Sequence, residues 1–110
     1  MDSKIFGKIK EKIKSGEYIL SDHAQYERLE EDIDGKEIEE AINNGEVLED
    51  YPNDKRGHSC LILGYSKSKA IHVICGMKEN KAVIVTVYLP KLPKWVTPKQ
   101  RLTGGMKNGK

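Results

Sequence analysis

Ile5, Ile9 and Ile13 recur every fourth residue, with Phe6 beside them and Lys4, Lys8, Lys12 and Lys14 around them. That spacing lays one apolar stripe along a helix. Asp2 or Ser3 is placed to cap its start, and Gly16 stands where a left-handed residue ends a helix. After Tyr18-Ile19-Leu20, Ser21 is a capping residue for a second short helix. Asp22 in its first turn suits the helix dipole. This helix carries His23, Ala24, Tyr26, Arg28 and Leu29. The third helix has the clearest start. Asp34 and Glu37 have capping-box spacing, with Ile33 and Ile38 placed as a hydrophobic staple. Ile38, Ala41 and Ile42 form its apolar stripe, and Asn43-Asn44-Gly45 ends it.

From Glu46 the period changes to two, which predicts strands near 47–51, 59–65, 70–78 and 82–89. Pro52–Gly57, Ser66–Lys69 and Glu79–Lys81 are the turns between them. Connections this short imply an antiparallel meander. If the turns set Tyr65 opposite Ala70 and Lys78 opposite Ala82, then Cys60 meets Cys75 and His72 meets Tyr88. One face then holds Cys60, Ile62, Ile71, Val73, Cys75, Met77, Val83, Val85, Val87 and Leu89, all apolar, and takes the helices. The other holds Leu61, Leu63, Tyr65, His72, Ile74, Lys78, Ile84, Thr86 and Tyr88. Pro90, Pro93 and Pro98 break regular structure around Trp95. The expected fold is therefore α+β, with N-terminal helices packed on one face of a four-stranded antiparallel meander. A single domain over residues 1–102 is followed by a flexible C-terminal tail, 103–110.

Length and composition agree with one charge-rich domain: 110 residues, 37% apolar and 33% charged. No apolar run approaches the roughly 18 residues of a membrane span, and the N-terminus lacks the apolar stretch of a signal peptide. The expectation is a cytoplasmic protein with no membrane contact. Its two cysteines are then reduced and packed in the core. No CxxC pair or HExxH occurs, so neither metal nor cofactor is expected. The net charge of +2 conceals a polarised chain. Residues 17–50 carry thirteen acids against Arg28 and Lys36, and residues 51–110 carry twelve bases against Asp54 and Glu79. The basic half wants a polyanion such as RNA, or the acidic segment as an internal partner.

Several pieces of sequence then combine: SDHA (Ser21–Ala24), NNGEVLEDYPNDKRGHSCLILGY (Asn43–Tyr65), AIHVI (Ala70–Ile74) and VTVYLPKLPKW (Val85–Trp95). Together they resemble a bacterial domain family described as RelE/HigB-like toxins, over about residues 17–101. The resemblance implies a RelE-like arrangement of helices on a four-stranded antiparallel sheet. It also implies metal-independent RNA cleavage on the open sheet face, and a small antitoxin partner, often of zinc-finger type. Members commonly carry Arg four and eight residues after the helix His. Here those positions hold Glu27 and Glu31, with Arg28 one place off.

RNA cleavage without a metal needs a base for the 2′-OH proton, an acid for the leaving 5′-oxygen, and cations or donors for the phosphorane. His72 and His23 are the candidates for the proton transfers. Tyr88 and Thr86 are the candidates for holding the phosphate. Lys55, Arg56, Arg28 and Arg101 are the candidates for RNA binding. The plain alternative for His72 is a half-buried sheet histidine hydrogen-bonded to Tyr88. For His23 it is a helix-start residue bonded to nearby backbone, and for Trp95 a ring folded over the sheet edge. Two rival functions stand beside the endoribonuclease: a non-catalytic module binding RNA or protein, and a small domain whose charges only neutralise each other.

Overall fold

The computed structural model describes residues 3–102; the expected C-terminal tail lies outside them. Helix α1 (Phe6–Ser15) buries Ile9 and Ile13 and ends at Gly16, whose φ of 79° is the left-handed value that favours glycine. Its start has no side-chain cap among the described residues, and Asp2, one of the two expected caps, lies outside them. The Ser3 hydroxyl donates instead to Asp50, at 2.8 Å. Helix α2 (Asp22–Glu30) is capped by Ser21, whose side chain accepts from the Ala24 N–H. Helix α3 (Gly35–Asn43) carries the full capping box between Asp34 and Glu37. Such a cap is worth about 1 kcal/mol.

The expected four-stranded antiparallel meander is overturned. Strands β2 (Glu46–Tyr51), β3 (Ser59–Ser66), β4 (Lys69–Lys78) and β5 (Lys81–Tyr88) run antiparallel in sequence order. A further strand, β1 (Tyr18–Leu20), lies parallel against β5, pairing Tyr18 with Ala82 and Leu20 with Ile84. The result is a five-stranded mixed sheet in the order β1-β5-β4-β3-β2. The proline-rich segment is not irregular either. It forms a hairpin, β6 (Trp95–Thr97) with β7 (Gln100–Arg101). Among the described residues no helix is long and apolar enough to cross a membrane.

The last hairpin also differs from the expected register. Lys78 pairs with Lys81, not Ala82, while His72 still pairs with Tyr88. The two registers are reconciled by a β-bulge at Val85: Cys75 opposes Ile84 and Ile74 opposes Thr86. A bulge adds one residue to one strand and re-aims what precedes it. Ala82 and Ile84 therefore face the helices and are fully buried, whereas Val83 and Val85 turn to the other face. The helix-side core joins Ile9, Ile38, Ile42, Ile62, Val73 and Val87 with both cysteines.

Two features of this core have measurable consequences. Gly64 lies directly against α3: a Cβ there would stand 1.7 Å from the Ala41 carbonyl oxygen. Cys60 and Cys75 are cross-strand partners, both completely buried and free. Burial pushes the Cys60 thiol up to about 11 and raises that of Cys75 as well. Since the thiolate is the reactive form, thiol reagents should label neither cysteine until the protein is unfolded in denaturant. Labelling of the native protein at the rate of a free thiol would contradict this packing.

Candidate functional site

The sheet face away from the helices is not open at its β2 end. Leu61, Leu63 and His72 are buried there, and His72 lies against the β6–β7 hairpin, whose Trp95 is only 2% exposed. Trp95 stands edge-on to His72, with ring centroids 4.4 Å apart. Arg101 stacks over the same indole at 4.6 Å and makes two hydrogen bonds to Glu49, Nε to Oε2 at 2.7 Å and Nη2 to Oε1 at 2.8 Å. The Tyr51 hydroxyl also donates to Glu49. The Arg101 guanidinium, first, and the Tyr51 donor hold the Glu49 carboxyl below its usual range against burial, which raises it. This fork–fork pair bolts the hairpin to β2.

His72 is completely buried. Its Nε2 lies 2.7 Å from the Pro98 carbonyl oxygen, which can only accept, so Nε2 carries the proton. Its Nδ1 is then the acceptor for the Tyr88 hydroxyl, 3.1 Å away. Burial is the main cause that lowers the His72 pKa below its ordinary 6.5, and the neutral ring fits this pattern. The unfolded chain takes up a proton as pH falls through about 6.5, while folded His72 does not. Stability therefore falls below that pH. Thermal melts at about pH 7.5 and 5.5 should show this loss, and His72→Asn should show a smaller loss over the same interval. An equal shift in the variant would assign it to other groups.

Tyr88 opens onto a cleft of about 460 Å³ beside the hairpin. Its walls are His23, Glu27, Glu31, Thr86, Lys91, Lys94, Trp95 and Arg101, over a floor that includes Ile74. Burial raises the Tyr88 pKa, and the Trp95 indole N–H and the Arg101 charge partly offset that. The same N–H is buried without a hydrogen-bond partner among the described residues.

His23 is at the mouth, 66% exposed, with Nε2 3.3 Å from Glu27 Oε2. Glu27 and Glu31 serve the backbone. Glu27 Oε1 accepts from the Val87 N–H at 3.1 Å, and Glu31 Oε1 from the Leu89 N–H at 3.2 Å. Glu31 also holds Lys91, at 3.2 Å. With the Ser21 hydroxyl on the Val85 carbonyl, they fasten α2 along the edge of β5 beyond the end of β1.

The cleft thus gathers His23, Thr86, Tyr88 and Arg101, with His72 directly behind Tyr88. The other expected RNA-binding residues lie elsewhere. Arg28 binds Gln25 and the Ile33 carbonyl, tying the end of α2 to the following turn. Lys55 and Arg56 sit in the loop before β3, where Arg56 meets Asp54. Lys91, Lys94, Pro98 and Glu49 were not recognised from the sequence. Only the excess of bases after Tyr51 hinted at the two lysines, and a carbonyl such as that of Pro98 leaves no mark in side-chain chemistry. Among the described residues no three His, Cys, Asp or Glu side chains are grouped to hold a metal ion.

No curated protein and no solved structure matches the chain. Residues 20–89 match the family described as a domain of unknown function, DUF4258. The matched stretch runs from the end of β1 to the residue after β5, so it includes His23, His72, Thr86 and Tyr88 and stops before the hairpin. The chain belongs to the DUF4258 family.

Proposed function

We propose that this protein is a toxin-type endoribonuclease that cuts RNA at the Tyr88 cleft by attack of a 2′-OH on the adjacent phosphate, with no metal in the reaction. The observation that carries the reading is the chain Pro98 C=O···H–Nε2 His72 Nδ1···H–O Tyr88, which ends in a cleft whose walls include Lys91, Lys94 and Arg101. The Tyr88 oxygen takes the 2′-OH proton as its own passes to His72 Nδ1. The 2′-oxygen bonds to phosphorus, the bond to the 5′-oxygen breaks, and His23 at the mouth protonates the leaving oxygen. The products carry a 2′,3′-cyclic phosphate and a 5′-OH. Lys91, Lys94 and Arg101 face the phosphorane charge, and Thr86 positions the phosphate. The unpartnered Trp95 N–H beside Tyr88 is a donor already desolvated, ready for negative charge on that oxygen. The motif resemblance to RelE/HigB-like toxins supports the same reading, with a cytoplasmic protein restrained by a small antitoxin, of zinc-finger type, as its setting.

The test is incubation of purified protein with single-stranded RNA and identification of the ends produced. The expected result is cyclic phosphate and 5′-OH ends, with cutting blocked by a 2′-deoxy substitution at the cleaved nucleotide. A second reading is favoured by Glu27 and Glu31. They place two carboxylates on the cleft wall where relatives of the resembled type carry Arg. That reading is a non-catalytic module that binds RNA or protein. RNA that binds in a salt-dependent way and is never cut would establish it over the first.

A further inference from the structure

The bulge at Val85 does more than correct the register. Consecutive strand residues normally point to opposite faces. Here Val83, Val85, Thr86 and Tyr88 all lie on the face away from the helices, because the extra residue repeats one side. Val85 lines one cavity and Thr86, the next residue, lines the Tyr88 cleft. The second cavity has about 190 Å³ and lies between β5 and the loop before β3. Its floor is Val83, Val85 and Gly76. A Cβ on Gly76 would stand 2.8 Å from the His58 carbonyl oxygen, so the glycine is what lets the loop close over this end of the sheet.

The rim is of a different character. The Arg56 side chain is 67% exposed, and the hydrogen bonds and ion pairs that its side chain makes among the described residues all go through Nε, to Asp54 at 3.4 Å. Its two terminal nitrogens are free to stack or to bind an anion. Lys78 stands beside it on the rim. An apolar slot with a guanidinium at its lip suits a flat heteroaromatic ring joined to a phosphate. Its volume is below the roughly 300–1,000 Å³ of a pocket for a whole drug-sized ligand, so it holds one ring.

We propose that this cavity is a nucleobase subsite, which takes one unstacked base of the RNA strand whose phosphate lies at Tyr88. The proposal rests on the reading of the Tyr88 cleft as the RNA site. Val85 and Tyr88 are three positions apart, about 10 Å at ~3.3 Å per residue. That is the rise of about three stacked nucleotides at ~3.4 Å each. Cations mark both ends of this path: Arg56 and Lys78 at one, Lys94 and Arg101 at the other.

The experiment uses a set of short single-stranded oligoribonucleotides of one sequence, each with the fluorescent base 2-aminopurine at one position and 2′-fluoro in place of every 2′-OH, so that none can be cut. Binding of the full-length protein should change the fluorescence strongly at one position, which lies within about three nucleotides of the cut made in the same sequence carrying its 2′-OH groups. Arg56→Ala, a change on an exposed loop, should remove that change in the saturated complex and weaken binding about tenfold, within the range for losing one stacked base. Uniform fluorescence changes along a bound strand, none at all, or a full change retained in Arg56→Ala would overturn the subsite. If the protein cuts RNA yet no position responds, the subsite falls and the catalytic reading stands. If one position responds and Arg56→Ala abolishes it but RNA is never cut, catalysis falls and the subsite stands. A protein that binds no RNA removes both.

Discussion

Tyr88→Phe should lower the rate of RNA cleavage by a factor of about 10²–10⁴, the usual loss for a positioned proton-transfer group. The substitution keeps the ring that meets His72 at a centroid distance of 5.2 Å and removes only the hydroxyl. It leaves His72 Nδ1 buried without its donor, which costs about 1–3 kcal/mol of stability, so a thermal melt must accompany the assay. His72→Ala should produce a loss of similar size although His72 has no exposed surface, because it acts through Tyr88. The double variant should fall little below the worse single one, since groups acting as a unit are not additive. Additive losses would separate the two residues into independent roles. Cleavage by Tyr88→Phe at the wild-type rate would remove the tyrosine from the chemistry altogether.

Gly64→Ala should destabilise the fold by about 3 kcal/mol or more, toward the extreme of single-substitution effects. The added methyl meets backbone: Ala41 O at 1.7 Å, its carbonyl carbon at 2.4 Å and its Cα at 2.6 Å. No side-chain rotation relieves such a contact; α3 has to move off β3. Shortening Ala41 to Gly should therefore give no rescue, because the atoms in the way are shared by every residue. Denaturant titration with single-variant and double-variant proteins measures both points. A loss below about 1 kcal/mol would mean that α3 and β3 are not in contact here.

What the sequence disclosed and what it withheld divide along physical lines. Local rules placed the capping box of Asp34 and Glu37, the Ser21 cap and the Gly16 stop, because each is a contact between near neighbours in the chain. The pairing of Cys60 with Cys75 followed from alternation across a short turn. The three residues of β1 are too few to show alternation, and their partner lies more than sixty positions away, so the parallel pair was missed. The bulge escaped for a different reason. Ala82, Val83, Ile84 and Val85 are all apolar, and a one-residue slip among four apolar residues leaves no trace in a hydrophobic pattern. Within the cleft, His23, Thr86, Tyr88 and Arg101 were nominated from their chemistry. The hydrogen bond of His72 to Tyr88 was the plain alternative there; its complete burial was not foreseen, since that depends on a hairpin held by the pairing of Arg101 with Glu49.

The carboxylates of Glu27 and Glu31 have a consequence beyond the cleft. Past Ile84, β5 has no neighbouring strand on its β1 side among the described residues, and the N–H groups of Val87 and of Leu89, just after the strand, would present a bare template to the strands of other molecules. Side chains from α2 and its C-cap occupy those donors, so this margin of the sheet is sealed by a helix instead of by another strand. Glu27→Ala together with Glu31→Ala would strip the seal from a segment as apolar as Val83–Val87, and concentrated solutions of that variant should convert to β-rich aggregates while the parent stays dispersed.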